Sequence, residues 1–258
     1  MSERNSALAA RDQDKVWDFY QKQTKGASIF DYAVPRLSYL FDQAERFAAG
    51  RKIATLNIGT GNGWLEERCH EAGWESWSLD PNPAAIETLH TQGINGVCAG
   101  IEAMPLDGGK FDVVFCSEVF EHLLDNLLTA GIGEINRVLK PGGILLGSVP
   151  YQEPLEMRTV VCPECLHVHH AYGHHQSFSR ERLEALFGAA GFSPLYFRTR
   201  AFPGFKRRDT VGKLKSAIWV VFGRFGSYAA DAKIVFAARK TATPKPAKPE
   251  PNRSRFLS

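Results

Sequence analysis

The sequence predicts an α/β fold, in which a doubly wound, mainly parallel sheet of seven strands is covered by helices on both faces. Short apolar runs alternate with helix-like segments from residue 53 onward, and a glycine-rich turn follows the first run. Of the 258 residues, 44% are hydrophobic, which suffices for a sizeable core. Sheets of this kind bind ligands at the carboxyl ends of their strands.

The predicted elements follow from the spacing of apolar residues. Two helices are expected before the first strand, because apolar residues recur at helical intervals from Val16 and again from Val34. A later helix, over 123–139, is predicted to end at Pro141-Gly142-Gly143. The strands are predicted over 53–58, 77–79, 96–98, 111–116, 144–149, 195–198 and 232–238, and the other helices over 65–72, 83–90 and 179–190.

These elements predict three parts of the chain. Residues 1–50 form an N-terminal helical cap, and residues 51–240 form the α/β domain. Residues 241–258 are Pro-rich, basic and poor in apolar side chains, so a disordered tail is expected. The α/β domain carries two inserts: a Cys/His-rich stretch within 158–178 and a basic and apolar stretch within 202–228.

Charge and cysteine content exclude some classes of protein. Lys and Arg number 31 against 28 Asp and Glu, so the strong positive field of a dedicated nucleic-acid binder is missing. No segment has the features of a secretion signal or reaches the roughly 20 apolar residues of a membrane span, so a cytoplasmic location is expected. Five cysteines, an odd number, argue against a disulfide framework.

The turn after the first strand indicates a nucleoside ligand. Its sequence, LNIGTGNG, places Gly59, Gly61 and Gly63 at alternate positions, where a ligand can approach the backbone closely. Taken alone, it could be a tight strand-to-helix turn. Asp80, about 20 residues further on, ends the second strand and suits a carboxylate that accepts both ribose hydroxyls. A dinucleotide would require G-x-G-x-x-G, so no pyrophosphate site is implied.

Four segments between Ala54 and Pro150 identify a family resemblance: LNIGTGNG, SLDPNPAAI, IEAMPLDGGKFDVVFCSEVFEHL and EINRVLKPGGILLGSVP. In this order and spacing they resemble the class I S-adenosylmethionine-dependent methyltransferases, which have a Rossmann-like fold. The similarity is to the broad branch with small-molecule, lipid and glycan acceptors. The resemblance implies that the chain is an enzyme and that S-adenosylmethionine is its methyl donor.

The resemblance also assigns individual residues to the cofactor. It implies that the three glycines lie along the methionine and sugar, that Asp80 binds the ribose, and that residues near 101 and 116 flank the adenine and the sulfonium. Asn57 and Gly100 stand where the family often has acids, so a degenerate cofactor domain acting as a scaffold is the alternative. The implied cofactor residues are Asn57, Gly59, Gly61, Gly63, Asp80, Pro81, Ile101, Glu102, Cys116 and Ser117.

The Cys/His-rich insert predicts a zinc site. Its spacing C-x2-C-x4-H-x3-H suits tetrahedral zinc with two thiolates and two imidazoles, and some methyltransferases of this branch carry a similar insertion. Four protein ligands would leave no open position, so the expected role is structural. Unrelated surface residues are the alternative. The predicted ligands are Cys162, Cys165, His170 and His174, and the surplus histidines that leave the register open are His167, His169 and His175.

Methyl transfer is an in-line displacement, so the protein mainly positions the acceptor and, where needed, removes its proton. His122, which follows Glu121 after the fourth strand, is the best candidate for a base, although this pair is also a structural feature of the family. The fourth strand lacks the Asn/Asp-Pro-Pro-Tyr ending of enzymes that methylate amide or adenine nitrogens. We therefore expect a hydroxyl acceptor on a glycan, lipid or secondary metabolite, with RNA ranked last.

The second insert allows two interpretations. Over 204–225, basic side chains precede a strongly apolar run, which is typical of a lid helix over a pocket and also of a helix on an anionic membrane surface. A peripheral membrane contact of this kind would suit a lipid-linked acceptor. The basic residues are Lys206, Arg207, Arg208, Lys213 and Lys215, and the apolar ones are Ile218, Trp219, Val220, Val221 and Phe222.

Overall fold

The computed structural model describes residues 32–203, 210–225 and 231–241, with only the backbone described over 210–214. The predicted helix around Val16 and the predicted disordered tail lie outside the described residues, apart from Thr241. The described helices are α1 (Val34–Ala48), α2 (Trp64–Glu71), α3 (Pro83–Thr91), α4 (Asp125–Val138), α5 (Arg180–Ala189) and α6 (Thr210–Arg224). The described strands are β1 (Ala54–Ile58), β2 (Glu75–Asp80), β3 (Asn95–Cys98), β4 (Phe111–Ser117), β5 (Leu139–Pro150), β6 (Thr159–Val161), β7 (Val168–His170), β8 (Phe192–Arg200) and β9 (Lys233–Lys240).

Seven of these strands form one sheet in the order β3-β2-β1-β4-β5-β9-β8. Pairs among β1 to β5 are parallel, whereas β9 runs antiparallel to both of its neighbours. All five residues of β1 are buried, as expected for a parallel strand that is covered on both faces. The predicted doubly wound, mainly parallel sheet is therefore confirmed.

Helices cover both faces of the sheet. Because side chains alternate along a strand, Val113 and Phe115 of β4 face one layer, while Val114 and Cys116 face the other. α1 and α2 pack on the first face, through residues such as Phe41. α4 and α5 pack on the second face. α1 thus shares a core with the sheet.

The segment between α4 and β5 differs from the prediction. α4 ends at Val138, and β5 begins directly at Leu139, so Pro141-Gly142-Gly143 lies within the irregular start of a strand. The register against β4 shifts at this point, between Phe111 and Val113. A positive φ of 76° at Gly142 permits the detour, which explains why the same residues resemble a helix terminator.

The insert over 202–228 contains α6, which packs on the body through small residues. Ser216 is buried, and a β-carbon on Gly223 would lie 2.4 Å from the backbone nitrogen of Ala201. Ile218, Val221 and Phe222 are exposed. No helix among the described residues is long and apolar enough to cross a bilayer. The lid and the membrane-surface interpretations both remain predictions.

Candidate active site

The glycine turn and Asp80 face each other at the carboxyl ends of β1 and β2. Gly59, Gly61 and Gly63 have positive φ angles of 82°, 56° and 78°. The backbone nitrogen of Thr60 donates to Asp80 Oδ2 at 2.9 Å, and the Thr60 hydroxyl donates to the same oxygen at 3.1 Å. The predicted juxtaposition of turn and carboxylate is present, at the edge where such sheets bind ligands.

Asn57 supports the turn from below. Its side-chain nitrogen donates to Glu66 Oε1 at 2.7 Å and to the carbonyl oxygen of Gly59 at 3.1 Å. Ser78 donates to the same Glu66 oxygen at 2.6 Å. Burial raises the pKa of Glu66. A buried carboxyl group on α2 therefore lies beside the position where the resemblance expects an acid, and sequence analysis missed it.

Glu102 folds back over Gly100. A β-carbon on Gly100 would lie 2.5 Å from both carboxylate oxygens of Glu102, so this carboxylate fills the space that a side chain at position 100 would take. A carboxylate therefore lies beside position 100, although the residue there is glycine. Ile101 is buried between these two residues and α4, whereas Pro81 is exposed beside Asp80.

The end of β4 carries Cys116, which is fully buried, and Ser117, which is partly exposed. A ligand at the sheet edge cannot contact a fully buried side chain, so Cys116 contributes packing beneath the edge. Burial also raises the pKa of its thiol well above the ordinary value. Ser117 instead joins a polar network, in which its hydroxyl accepts from Arg36 Nε at 2.9 Å and lies 2.9 Å from the hydroxyl of Ser148.

Glu118 is the centre of that network. Ser148 donates to Glu118 Oε1 at 2.8 Å, and Lys233 Nζ lies 3.0 Å from Oε2. Burial alone would raise the pKa of Glu118, but the Lys233 ammonium and the Arg36 guanidinium lower it to about 2. The residue also has a positive φ of 57°. An ion-paired carboxylate therefore ties α1 and β9 to the end of β4.

Glu121, His122 and His174 form a second cluster beyond β4. One donor atom from each lies within 4.8 Å of the others. Glu121 and His122 belong to a short 3-10 helix, Phe120–His122. The backbone nitrogens of His175 and Gln176 donate to the Glu121 carbonyl oxygen at 2.7 Å and 3.1 Å, which holds the segment around His174 against this turn.

Glu121 and His122 are buried, and burial determines their charge. Burial, reinforced by the Glu118 charge, raises the pKa of Glu121 well above the ordinary value. Burial, reinforced by the His174 charge, lowers the pKa of His122 to about 3. His122 is therefore neutral at pH 7 and a weak base. Two imidazoles and a carboxylate could hold a divalent transition metal.

The predicted zinc ligands are divided between the two ends of a hairpin. β6 and β7 pair so that Val161 lies opposite Val168 at the tip and Thr159 opposite His170 at the base. Cys162 and Cys165 lie beyond the tip as free thiols. The length of β6 separates the cysteines from the base of the hairpin by about 10 Å, at the usual rise per residue of a strand. In the described part of the chain, neither cysteine belongs to a group of three metal-binding side chains, so the predicted four-ligand set is not assembled.

His170 and His174 meet a carboxylate instead. Their rings stack with centroids 4.6 Å apart, and Glu153 Oε2 accepts a hydrogen bond from His174 Nδ1. Glu153 Oε1 lies 3.6 Å from His170 Nε2 and 3.6 Å from Arg158 Nε. Glu153, His170 and His174 thus form a further group that could hold a metal ion.

The sequence profile of a family described as a methyltransferase domain matches residues 20–196, which is more than half of the chain. This chain belongs to the S-adenosylmethionine-dependent methyltransferases. It is 32% identical over 124 residues to the ubiquinone biosynthesis O-methyltransferase of Methylococcus capsulatus, covering 45% of this chain and 51% of the relative. The enzyme of the same name from Pseudomonas aeruginosa is 28% identical over 165 residues, covering 60% and 67%. The methyltransferase spans about half to two thirds of the length of these relatives.

A solved structure shows the same fold. The crystal structure of 1,6-didemethyltoxoflavin-N1-methyltransferase from Burkholderia thailandensis, with bound 1,6-didemethyltoxoflavin and S-adenosylhomocysteine, superposes with a TM-score of 0.64. The match covers 93% of this chain and 91% of that one at 16% identity. The methyltransferase fold is therefore shared even where the sequences have diverged.

Several charged residues of the methyltransferase's site were not found from the sequence. Glu118 lies within the recognised SEVFEH segment, but nothing in that segment reveals its partners. These partners, Arg36 on α1 and Lys233 on β9, come from distant parts of the chain and carry no local motif. The same holds for Glu153 after β5, which pairs with His174.

Proposed function

We propose that this methyltransferase transfers the methyl group of S-adenosylmethionine to a hydroxyl oxygen of a small-molecule acceptor. The observation that carries the proposal is the position of Glu121, His122 and His174, which gather directly beyond the end of β4. The names of the curated relatives, which are O-methyltransferases of ubiquinone biosynthesis, support an oxygen acceptor.

The cofactor half of the site follows from the described geometry. Asp80 would accept hydrogen bonds from the ribose hydroxyls. The hydrogen bond from the Thr60 backbone nitrogen holds its carboxylate beside the glycine turn, at the sheet edge where the ribose would lie. Glu102, which fills the space over Gly100, would accept from the adenine amine. S-adenosylmethionine supplies a methyl carbon that its sulfonium already activates.

The acceptor half would orient the hydroxyl. The methyl carbon–sulfur bond breaks as the oxygen–carbon bond forms, so the acceptor oxygen, the methyl carbon and the sulfur must lie in line. The hydroxyl proton would pass to water, which leaves the methyl ether and S-adenosylhomocysteine as the products. Burial lowers the pKa of His122 to about 3, so the neutral imidazole is a poor proton carrier at pH 7. His122 would therefore hold the hydroxyl in place and would not act as the general base that the sequence suggests.

The test is to find the acceptor and locate the new methyl group. Purified protein is incubated with methyl-labelled S-adenosylmethionine and fractionated extract of the host, and labelled products are analysed by fragmentation mass spectrometry. We expect label in a small-molecule fraction, on oxygen, and no label with Asp80→Asn. Glu87→Gln, an exposed change on α3, is the matched control and should retain labelling. A methyl group found on nitrogen or carbon would contradict the proposal.

A further inference from the structure

Arg200 is the last residue of β8 and lies at the edge of the sheet where ligands are expected. β8 and β5 both run antiparallel to β9, so β8 ends at the same edge as the parallel strands. Arg200 is the register partner of Lys233, which is in turn the partner of Pro150 at the end of β5. Since directly opposite residues point to the same face of a sheet, Arg200 and Lys233 share one face at this edge.

Two aromatic rings hold the Arg200 guanidinium. Its central carbon lies over the ring of Tyr39 on α1, 4.5 Å from the ring centroid, and 6.0 Å from the centroid of Phe202. The two rings are themselves 5.8 Å apart, and the Tyr39 hydroxyl is buried. Contacts of this kind use the flat face of the guanidinium and leave its in-plane N–H donors available. Arg200 is therefore oriented before any ligand arrives.

Arg200 has no anionic partner within the part of the chain that the structure describes. Its side chain is only partly exposed, yet its guanidinium makes neither an ion pair nor a hydrogen bond with another described residue. Charged groups that are withdrawn from water are usually paired, because their desolvation is costly. A partly buried cation at a ligand-binding edge therefore indicates that an anion is missing from it.

The nearby carboxylates are paired with other cations. Glu118 lies 3.0 Å from the Lys233 ammonium and 4.0 Å from the Arg36 guanidinium. Asp231 is mostly exposed and lies 3.0 Å from the same Lys233 nitrogen. Both carboxylates thus have cationic partners other than Arg200.

Glu121, the other acid beyond β4, does not supply the missing charge. The side chain is fully buried, and burial, reinforced by the charge of Glu118, raises its pKa well above the ordinary value. Its carboxyl group is therefore uncharged at neutral pH. The positive charge of Arg200 is left for a ligand.

Arg198 provides an internal comparison on the same face of β8. Its guanidinium carbon lies 4.7 Å from the centroid of the Tyr196 ring, so it has a similar aromatic contact. Its register partner is Val235, which places it further from the edge, and its side chain is exposed. A solvated cation needs no counterion. The two arginines therefore differ in burial and in position, and only Arg200 lies where a ligand would bind.

We propose that the acceptor of the methyl group carries a carboxylate or a phosphate, and that Arg200 binds this anionic group. The planar guanidinium donates two parallel N–H groups to two oxygens of such an anion, a geometry that an ammonium group does not match. This inference rests on the proposed function, because it names the class of small molecule that is methylated. Arg200 acts in binding the acceptor and not in the transfer itself.

The charge of the natural acceptor tests the proposal. Small molecules of the host extract are separated by anion exchange at pH 7 into a retained and an unretained fraction. Each fraction is incubated with the protein and methyl-labelled S-adenosylmethionine. We expect the label in the retained fraction. Phosphatase treatment of the labelled product then identifies the anion, because retention is lost with a phosphate and kept with a carboxylate.

Substitutions of the two arginines connect this charge to Arg200. With a limiting amount of the retained fraction, Arg200→Gln should label about 10- to 100-fold more slowly than the wild type. A higher concentration of the fraction should recover the rate, since binding and not transfer is impaired. Arg200→Lys keeps the charge but not the paired donors, so its loss should be smaller. Arg198→Gln is the matched control and should label as the wild type does.

Affinity for S-adenosylhomocysteine, measured by calorimetry, separates a lost acceptor contact from a damaged fold. It should be unchanged in all three variants. Label confined to the unretained fraction, equal rates for Arg200→Gln and Arg198→Gln, or weakened cofactor binding in Arg200→Gln would each overturn the proposal. An uncharged product methylated on oxygen would refute this inference and leave the proposed function standing. An anionic product that depends on Arg200 but is methylated on nitrogen would do the reverse.

Discussion

The two halves of the ligand-binding edge are built in different ways. The cofactor half, at β1 and β2, joins residues that are close in sequence and uses backbone groups, such as the bond from the Thr60 nitrogen to Asp80, 20 residues apart. The acceptor half, beyond β4, depends on side chains from distant segments, such as Arg36 and Ser117, 81 residues apart. The first half is recognisable from motifs in one stretch of sequence, whereas the second half requires the folded chain.

Removing the carboxylate of the cofactor half should have the largest effect. Asp80→Ala removes a charged acceptor for two ribose hydroxyls, each such hydrogen bond contributing about 1.5 to 3 kcal/mol. We expect the dissociation constant for S-adenosylhomocysteine to rise at least about 100-fold, as measured by calorimetry. Glu87→Gln should bind as the wild type does. Equal affinity of Asp80→Ala and wild type would show that the nucleoside does not bind beside the glycine turn.

A substitution in the acceptor half should lower the stability of the protein and leave its affinity for the cofactor nearly unchanged. Lys233→Met keeps most of the side-chain volume but removes the cation 3.0 Å from Glu118, leaving Arg36 at 4.0 Å as the remaining cationic partner. Because a mostly buried carboxylate then loses its main compensation, we expect a loss of about 2 kcal/mol in the free energy of unfolding at pH 7. Urea unfolding measures this loss, and the affinity for S-adenosylhomocysteine should stay within about threefold.

The pH dependence of that loss sharpens the comparison. The pKa of Glu118 is lowered to about 2 in the folded protein, from 4.5 when unperturbed. The contribution of the ionised carboxylate is therefore complete above pH 4.5 and disappears as the pH falls towards 2. The difference in stability between wild type and Lys233→Met should shrink over that range. A difference that stays constant from pH 7 to pH 3 would show that Lys233 contributes by packing and not by charge.

The contrast between the halves also explains what the sequence could predict. The alternation of strands and helices and the position of Asp80 beside Gly59 follow from local signals, because a buried parallel strand must be apolar and a turn with positive φ favours glycine. The metal prediction relied on spacing and on a resemblance in that spacing to other methyltransferases, and spacing does not reveal that β6 and β7 pair and carry Cys162 away from His174. Pairing between strands depends on tertiary contacts that a motif does not contain.

The Pro-Gly-Gly segment before the buried part of β5 was ambiguous in a similar way. Pro141-Gly142-Gly143 was predicted to end a helix, yet the helix ends before it and the three residues lie within β5. Glycine with a positive φ is common both after a helix and in a strand irregularity, so composition alone does not distinguish them. Gly147 in the same strand is needed for space and not for its φ angle, since a β-carbon there would lie 1.9 Å from the carbonyl oxygen of Cys116. No pattern in the sequence indicates so close an approach of two backbones.

The smallest expected effect concerns Glu102, which in our proposal compensates for the absence of an acid at position 100. Glu102→Gln keeps the shape but removes the charge, so we expect S-adenosylhomocysteine to bind about three- to tenfold more weakly. The analogue S-inosylhomocysteine lacks the adenine amine, and its affinity should change little, because Glu102 would act on that amine. Gly100→Ala should reproduce the effect, since its β-carbon would displace the carboxylate, and the double variant should add nothing further. If both ligands weaken equally in Glu102→Gln, the carboxylate stabilises the loop and does not contact the adenine amine, and the compensation is structural.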